Sequence, residues 1–233
     1  MTETGRHQVG GANVVFTDCR AGDLGHAGEY VHAVRPEVEA RRRAVVDLPW
    51  TWLRQVHGDR VVVVTEPGGG AGQRADAAVT DRPGCALAIL TADCAPVALV
   101  ASDGVVGVAH AGWRGLVGGV LERTVEAMRL CRRDGVRDVR AVLGPCIRPE
   151  CYEFRADDLA RVARRLGDGV RAETASGAPA LDVPAAVRAA LAQAGVAEVD
   201  DVGVCTACSP IHFSHRARGE VGRQALVVWR PVI

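Results

Sequence analysis

The sequence predicts an α+β fold in which one large β-sheet, or two packed sheets, is flanked by helices. Six short apolar or β-branched runs follow one another between Trp50 and His110, separated by Gly, Pro and Asp, as closely connected strands require. Behind them come segments with apolar residues at helical spacing, first at Trp113, Leu116, Val117, Val120, Leu121 and Met128. With 233 residues, 48% hydrophobic and 24% charged, the chain has the balance of one globular domain spanning 1–233.

In chain order, NVVFTDCRAG reads as a strand entering a turn, and PEVEARRRAVVDL as an amphipathic helix starting after Arg35. Arg41 to Arg43 are expected on the solvated face of that helix. The six strand candidates are TWLRQVHG, RVVVVTE, ADAAVT, CALAIL, PVALVA and GVVGVAH. The glycine-rich PGGGAGQ has no GK[ST] after it, so it is a connection and not a phosphate loop. GWRGLVGGVLERTVEAMRL predicts a helix directly behind a strand, and VRAVLGPCI another strand. ADDLARVARRL and DVPAAVRAALAQAG predict further helices, with VGVC and ALVVW as closing strands.

Composition excludes several functions. The 28 basic and 28 acidic residues cancel, so no overall field favours nucleic acid or an anionic membrane, and small-molecule partners are expected. Every basic residue is Arg, which removes lysine nucleophile and Schiff-base chemistry. MTETGRHQVG lacks a secretory pattern, and the longest apolar run, Cys85 to Ala101, is interrupted by Asp93 and Pro96. A cytoplasmic protein with mostly reduced cysteines is expected, as a monomer or small homo-oligomer.

Asp93 and Cys94 interrupt the apolar texture of TADCAPVALV, where a packed strand has no structural use for them. His57 in RQVHGDRV and His110 in GVAHAGWRG lie, like Cys94, where an apolar strand meets a small-residue turn. If these ends converge, imidazole and thiolate suit zinc, and three ligands leave a fourth position open. Asp93 would then orient a ligand or accept a proton. Two other readings stay open: Cys94 as a metal-free nucleophile activated by a histidine, and a binding module without turnover. Cys146, Cys151, Cys205 and Cys208 allow a structural zinc, but their pairs lie further apart than zinc modules usually place them, so packing is expected. The H-x-E and P-C-x-x-C pattern of nucleobase deaminases is absent. Arg114, beside Gly112 and Gly115 at a predicted helix start, offers a fork-shaped cation for phosphate.

Together QVHGDRV, ADAAVT, LTADCAPVAL, AHAGWRG, GPCI with CYEF, and the stretch from CTAC through SHRARGEVGRQA resemble the YfiH family. That family is also described as purine nucleoside phosphorylase, laccase-domain polyphenol oxidase or peptidoglycan editing factor. The resemblance implies an α/β/β/α sandwich of two packed mixed sheets flanked by helices, with zinc on His57, Cys94 and His110 and Asp93 in the site. It implies phosphorolysis of adenosine and inosine to free base and ribose 1-phosphate, adenosine deamination, and editing of wall precursors. Arg114, Arg20 and Asp76 are the expected substrate binders. Copper suits the ligands less well, since a three-ligand site lacks the metal set of a multicopper oxidase. The sequence departs from the family pattern at Asp23-Leu24-Gly25, where the next loop looks short, and at His215 in FSHR.

Overall fold

The structure, a computed structural model, describes residues 5–25, 35–132 and 138–232. In chain order these form β1 (Gly5–Val9), β2 (Ala12–Phe16), α1 (Pro36–Val45), β3 (Trp50–Trp52), β4 (Val61–Val63), β5 (Ala77–Thr80) and β6 (Ala86–Thr91). Next come β7 (Ala95–Ala101), β8 (Val106–Ala111), α2 (Trp113–Gly118), α3 (Val120–Leu130), β9 (Val139–Leu143) and α4 (Ala156–Leu166). The chain continues as β10 (Arg171–Glu173), β11 (Pro179–Leu181), α5 (Val183–Gln193), β12 (Glu198–Asp201), α6 (His215–Arg218) and β13 (Gln224–Trp229).

Two mixed sheets carry the fold. The five-stranded sheet runs β1-β2-β13-β6-β3 and the six-stranded sheet β12-β9-β7-β8-β5-β4, with β10 and β11 as a separate hairpin. Within them β3 is parallel to β6, β4 to β5 and β12 to β9, while the remaining pairs are antiparallel.

The period-two alternation of strands sorts the side chains into layers. Val14, Phe16, Leu87, Ile89, Leu226 and Val228 point inward from the first sheet and meet Ala98, Val100, Val106, Val108 and Val142 of the second. Alternate residues such as Val15, Ala88 and Val227 form the outer face, where Trp50, Trp229 and Val45 of α1 gather. Val97, Leu99 and Ala109 on the far face of the second sheet pack against Leu116, Val125, Met128, Val187 and Leu191 of the helices. The result is the expected α/β/β/α sandwich. Because most of its strands are buried on both faces, their sequences read as nearly unbroken apolar runs.

Four expectations need correction. The helix expected from Gly112 breaks at Gly119, whose φ of 88° is left-handed, leaving a six-residue α2 before α3. VGVC contributes only an isolated bridge between Cys205 and Cys146; the strand lies just before it as β12. Arg42 is not on a solvated face but 1% exposed. Its guanidinium carbon lies 5.5 and 5.4 Å from the rings of Trp50 and Trp52, and Nη2 donates to the Leu24 carbonyl at 2.9 Å. Burial lowers its pKa to about 10. Finally, of the four cysteines expected to be packing residues, Cys146 lies in the core and Cys151 packs against it, but Cys205 and Cys208 do not, and they gather with Cys151 and Glu150 in one group.

Candidate active site

Three chain segments meet at one end of the six-stranded sheet. After β3 the chain turns at Val56-His57-Gly58, with His57 at a φ of 58°. The turn is fixed by Asp76 at the start of β5, which accepts backbone N–H bonds from Val56 at 3.1 Å, His57 at 2.8 Å and Gly58 at 2.8 Å. Successive N–H groups converging on one carboxylate form an anion nest. The Asp76 carbonyl also accepts the His110 N–H at 2.7 Å, and its Oδ1 lies 2.8 Å from His110 Nδ1. Register places His110 on β8 opposite Pro96 on β7, and Cys94 immediately precedes β7.

His57, Cys94 and His110 therefore present ligand atoms that all lie within 4.8 Å of one another. Cys94 Sγ is 3.8 Å from His57 Nε2, and the two imidazoles stand edge to face with centroids 4.8 Å apart. Gly112 makes this closeness possible: a Cβ there would lie 2.7 Å from His57 Cδ2 and 3.3 Å from Cys94 Sγ. His110 is buried, Cys94 half-buried and His57 exposed, so the set opens on one side. The donor set fits a metal. Asp76 occupies His110 Nδ1 and leaves Nε2 for coordination, the carboxylate–histidine arrangement that fixes a metal ligand.

Charge is concentrated here. Burial opposes ionisation of Cys94, but the adjacent His110 imidazolium outweighs it and lowers the thiol's pKa. Burial likewise disfavours charging His110, yet the Cys94 thiolate and the Asp76 carboxylate raise its pKa. Asp76 is itself lowered: the hydrogen bonds from His110 and the turn overcome desolvation.

The three side chains face a cleft of about 810 Å³. Trp52, Trp113 and Tyr152 supply aromatic surface, and Arg54, Arg114, Arg216 and Arg223 bring guanidinium groups to its lining. Arg114 lies over the Trp113 ring at 4.6 Å, and Arg216 over Tyr152 at 4.7 Å. His215 also lines the cleft.

Asp93 reaches the lining from a left-handed turn with φ 88°. Its Oδ1 accepts the Thr206 hydroxyl at 2.7 Å and its Oδ2 the Arg216 N–H at 2.7 Å. The expected places of two residues change. Asp76 is fully buried behind His110 and does not line the cleft; its carboxylate meets His110 and the Val56-His57-Gly58 turn. Arg20 is held by Asp18 through Nε at 2.9 Å and is outside the lining residues. In the divergent N-terminal turn, Asp23 Oδ1 accepts the Arg223 N–H at 2.9 Å, tying that turn to a cleft residue. Trp52, Tyr152 and Arg216 were not singled out from the sequence; only the adjacency of Arg216 to His215 and of Tyr152 to Cys151 hinted at them.

A helix–sheet–sheet–helix sandwich with a His-Cys-His set lining an open cleft defines a class of protein whose cleft residues could hold a metal. The family model described as multi-copper polyphenol oxidoreductase laccase matches residues 18–231. The chain belongs to this laccase-domain family, the YfiH family. It is 39% identical over 208 residues to a purine nucleoside phosphorylase of Mycobacterium tuberculosis, covering 88% of this chain and 82% of the relative. With a purine nucleoside phosphorylase of Streptomyces coelicolor it shares 41% identity over 238 residues, 96% and 98% of the two chains. A crystal structure of a Neisseria meningitidis protein superposes with a TM-score of 0.84 at 30% identity, covering 99% of this chain and all of that one. The YfiH protein of Bacillus licheniformis gives a TM-score of 0.79 at 28% identity, covering 94% and 92%. These relatives support an enzyme of the purine nucleoside phosphorylase kind.

Proposed function

We propose that the chain is a zinc-dependent purine nucleoside phosphorylase that releases a free base and ribose 1-phosphate from adenosine or inosine. The observation that carries this reading is the convergence of His57, Cys94 and His110 at a cleft whose lining combines aromatic faces with guanidinium groups. A purine needs a flat apolar partner, which Trp52, Trp113 and Tyr152 offer, and phosphate needs fork-shaped donors, which Arg114 and Arg216 offer. The names of the curated relatives point the same way.

His57, Cys94 and His110 would hold the zinc, which supplies a cationic centre able to polarise a substrate oxygen or nitrogen. Asp76 keeps His110 in one tautomer and fixes the turn that carries His57. Asp93, held by Thr206 and the Arg216 backbone, sets the cleft wall beside Cys94. Arg114, in the cleft lining over Trp113, would place the phosphate for attack at ribose C1 as the bond to the base breaks. Imidazole and thiolate together suit zinc, and copper is the less favoured occupant. The reading is of a cytoplasmic enzyme acting on free nucleosides as a monomer or small homo-oligomer; no helix among the described residues is long and apolar enough to cross a membrane.

The test pairs metal content with turnover of adenosine and inosine, with and without phosphate, in the wild type and Cys94→Ala. Loss of one metal equivalent together with phosphate-dependent base release is expected in the variant. Turnover by metal-free wild type would overturn the zinc reading and make Cys94 a nucleophile. Phosphate-independent conversion of adenosine to inosine would assign deamination to the same cleft, and metal without nucleoside turnover would redirect the search to wall precursors and phenols.

A further inference from the structure

A second group of metal-ligand side chains lies apart from the His-Cys-His set. Glu150, Cys151, Cys205 and Cys208 each offer one ligand atom, all within 4.8 Å of one another. Cys151 Sγ and Cys208 Sγ are 3.2 Å apart. Two segments more than fifty residues apart in sequence bring these groups together. Glu150 and Cys151 end a 3-10 turn, Pro149–Cys151, after β9. Cys205 and Cys208 form a C-x-x-C turn closed by the Ser209 N–H on the Cys205 carbonyl at 3.0 Å.

We propose that this cluster is a second metal site, a structural zinc centre with three thiolates from Cys151, Cys205 and Cys208 and a carboxylate from Glu150. Tetrahedral zinc holds thiolates at about 2.3 Å, which sets neighbouring sulfurs about 3.8 Å apart, so adjustments of an ångström or less would seat the ion. C-x-x-C is the short ligand spacing that one turn can deliver to a single metal, and the second pair of ligands comes from adjacent residues on the facing turn. Four oxygen and sulfur donors with no imidazole give a closed set, suited to structure and not to an open catalytic position. Cys146, although bridged to Cys205 through backbone, stays in the apolar core and supplies no ligand.

The surroundings fit the role. Arg218 donates from Nη1 to the Ala207 carbonyl at 3.0 Å, holding the C-x-x-C turn by its backbone and leaving the sulfurs to one another. A divalent ion binds such side chains as thiolates, taking the place of their protons. The cluster also bears on the cleft. Tyr152, which lines it, follows Cys151, and Thr206, which donates to Asp93, follows Cys205. A metal here would fasten together the two turns that deliver those groups.

The test measures metal per chain after purification under reducing conditions, in the wild type, Cys94→Ala, Cys208→Ser and the double variant. About two equivalents in the wild type, one in each single variant and almost none in the double variant are expected. Because Cys94→Ala keeps the cluster intact, cobalt(II) added to its apo form should give the thiolate charge-transfer absorption of a tetrahedral site, and Cys151→Ser should weaken it. Failure of the first site would show as a single equivalent that Cys208→Ser, and not Cys94→Ala, removes. One equivalent lost only with Cys94, or a metal-free Cys94→Ala with a Cys151–Cys208 disulfide by peptide mass, would overturn the second site.

Discussion

Asp76 and His110 meet at 2.8 Å, carboxylate oxygen to Nδ1, with both side chains out of solvent. One buried carboxylate thus fixes the orientation of His110 and, through three N–H bonds, the backbone that carries His57.

Asp76→Asn should therefore weaken metal binding by about 10- to 100-fold without unfolding the protein, as loss of an orienting carboxylate does elsewhere. Asp76→Ala should go further, destabilising the chain by about 3–5 kcal/mol because a buried charged partner is removed. Competition titration with a chromophoric chelator checks the first and urea unfolding the second.

Stripping the metal should expose a reactive Cys94. In the apo protein its lowered pKa makes thiolate the main form at neutral pH, so iodoacetamide should label it rapidly there and more slowly as pH falls through about 6. His110→Ala removes the larger of the two histidine influences that favour the thiolate, leaving His57 alone against burial, so the pKa should rise and labelling at pH 7 should slow. Restored metal should protect the wild type, read by peptide mass.

Arg42→Ala should destabilise the protein by about 2–4 kcal/mol through lost packing between two indoles and an orphaned Leu24 carbonyl. Arg41→Ala on the same helix should change far less. Chemical denaturation of the two variants separates a buried arginine from an exposed one.

The Arg148–Asp201 pair predicts an acid limb. Burial would raise the Asp201 pKa, but hydrogen bonding from Arg148, at 3.0 and 2.5 Å, outweighs it and holds the group below its ordinary 3.8. The unfolded chain then takes up the proton at higher pH than the folded one, so this stabilisation is complete above about 4 and fades as pH falls through the lowered value. Asp201→Asn should lower stability by about 1–3 kcal/mol at pH 7 and flatten its decline below pH 4. Urea unfolding across that range measures both.

Strand runs such as CALAIL and PVALVA were legible because burial on both faces selects apolar residues without interruption. His57, Cys94 and His110 were legible as polar breaks at strand ends, and the fold brings them together. Arg42 was not, since a charged residue in an arginine triplet looks solvated until two tryptophans from another element cover it. Asp76 was seen but misplaced: nothing local distinguishes a carboxylate that meets substrate from one that meets a backbone turn. The break at Gly119 was signalled by Gly118-Gly119 but overridden by the apolar spacing that continues through Val120 and Leu121; Gly119 caps α2 in a left-handed conformation with its N–H on the Gly115 and Leu116 carbonyls. A zinc set including Cys151, Cys205 and Cys208 was set aside for the chain separation of its pairs, which says little about distance once strands cross over.

The last strand, β13, occupies the third place in the five-stranded sheet, hydrogen-bonded to β2 on one side and β6 on the other. As the chain leaves the ribosome, the β1–β2 pair and the β6–β3 pair have no common neighbour until residues 224–229 emerge. Until then each half keeps an apolar strand edge open to pairing with other chains. Completion of this sheet consequently waits for β13, and removal of residues 224–229 should leave it divided and prone to aggregate.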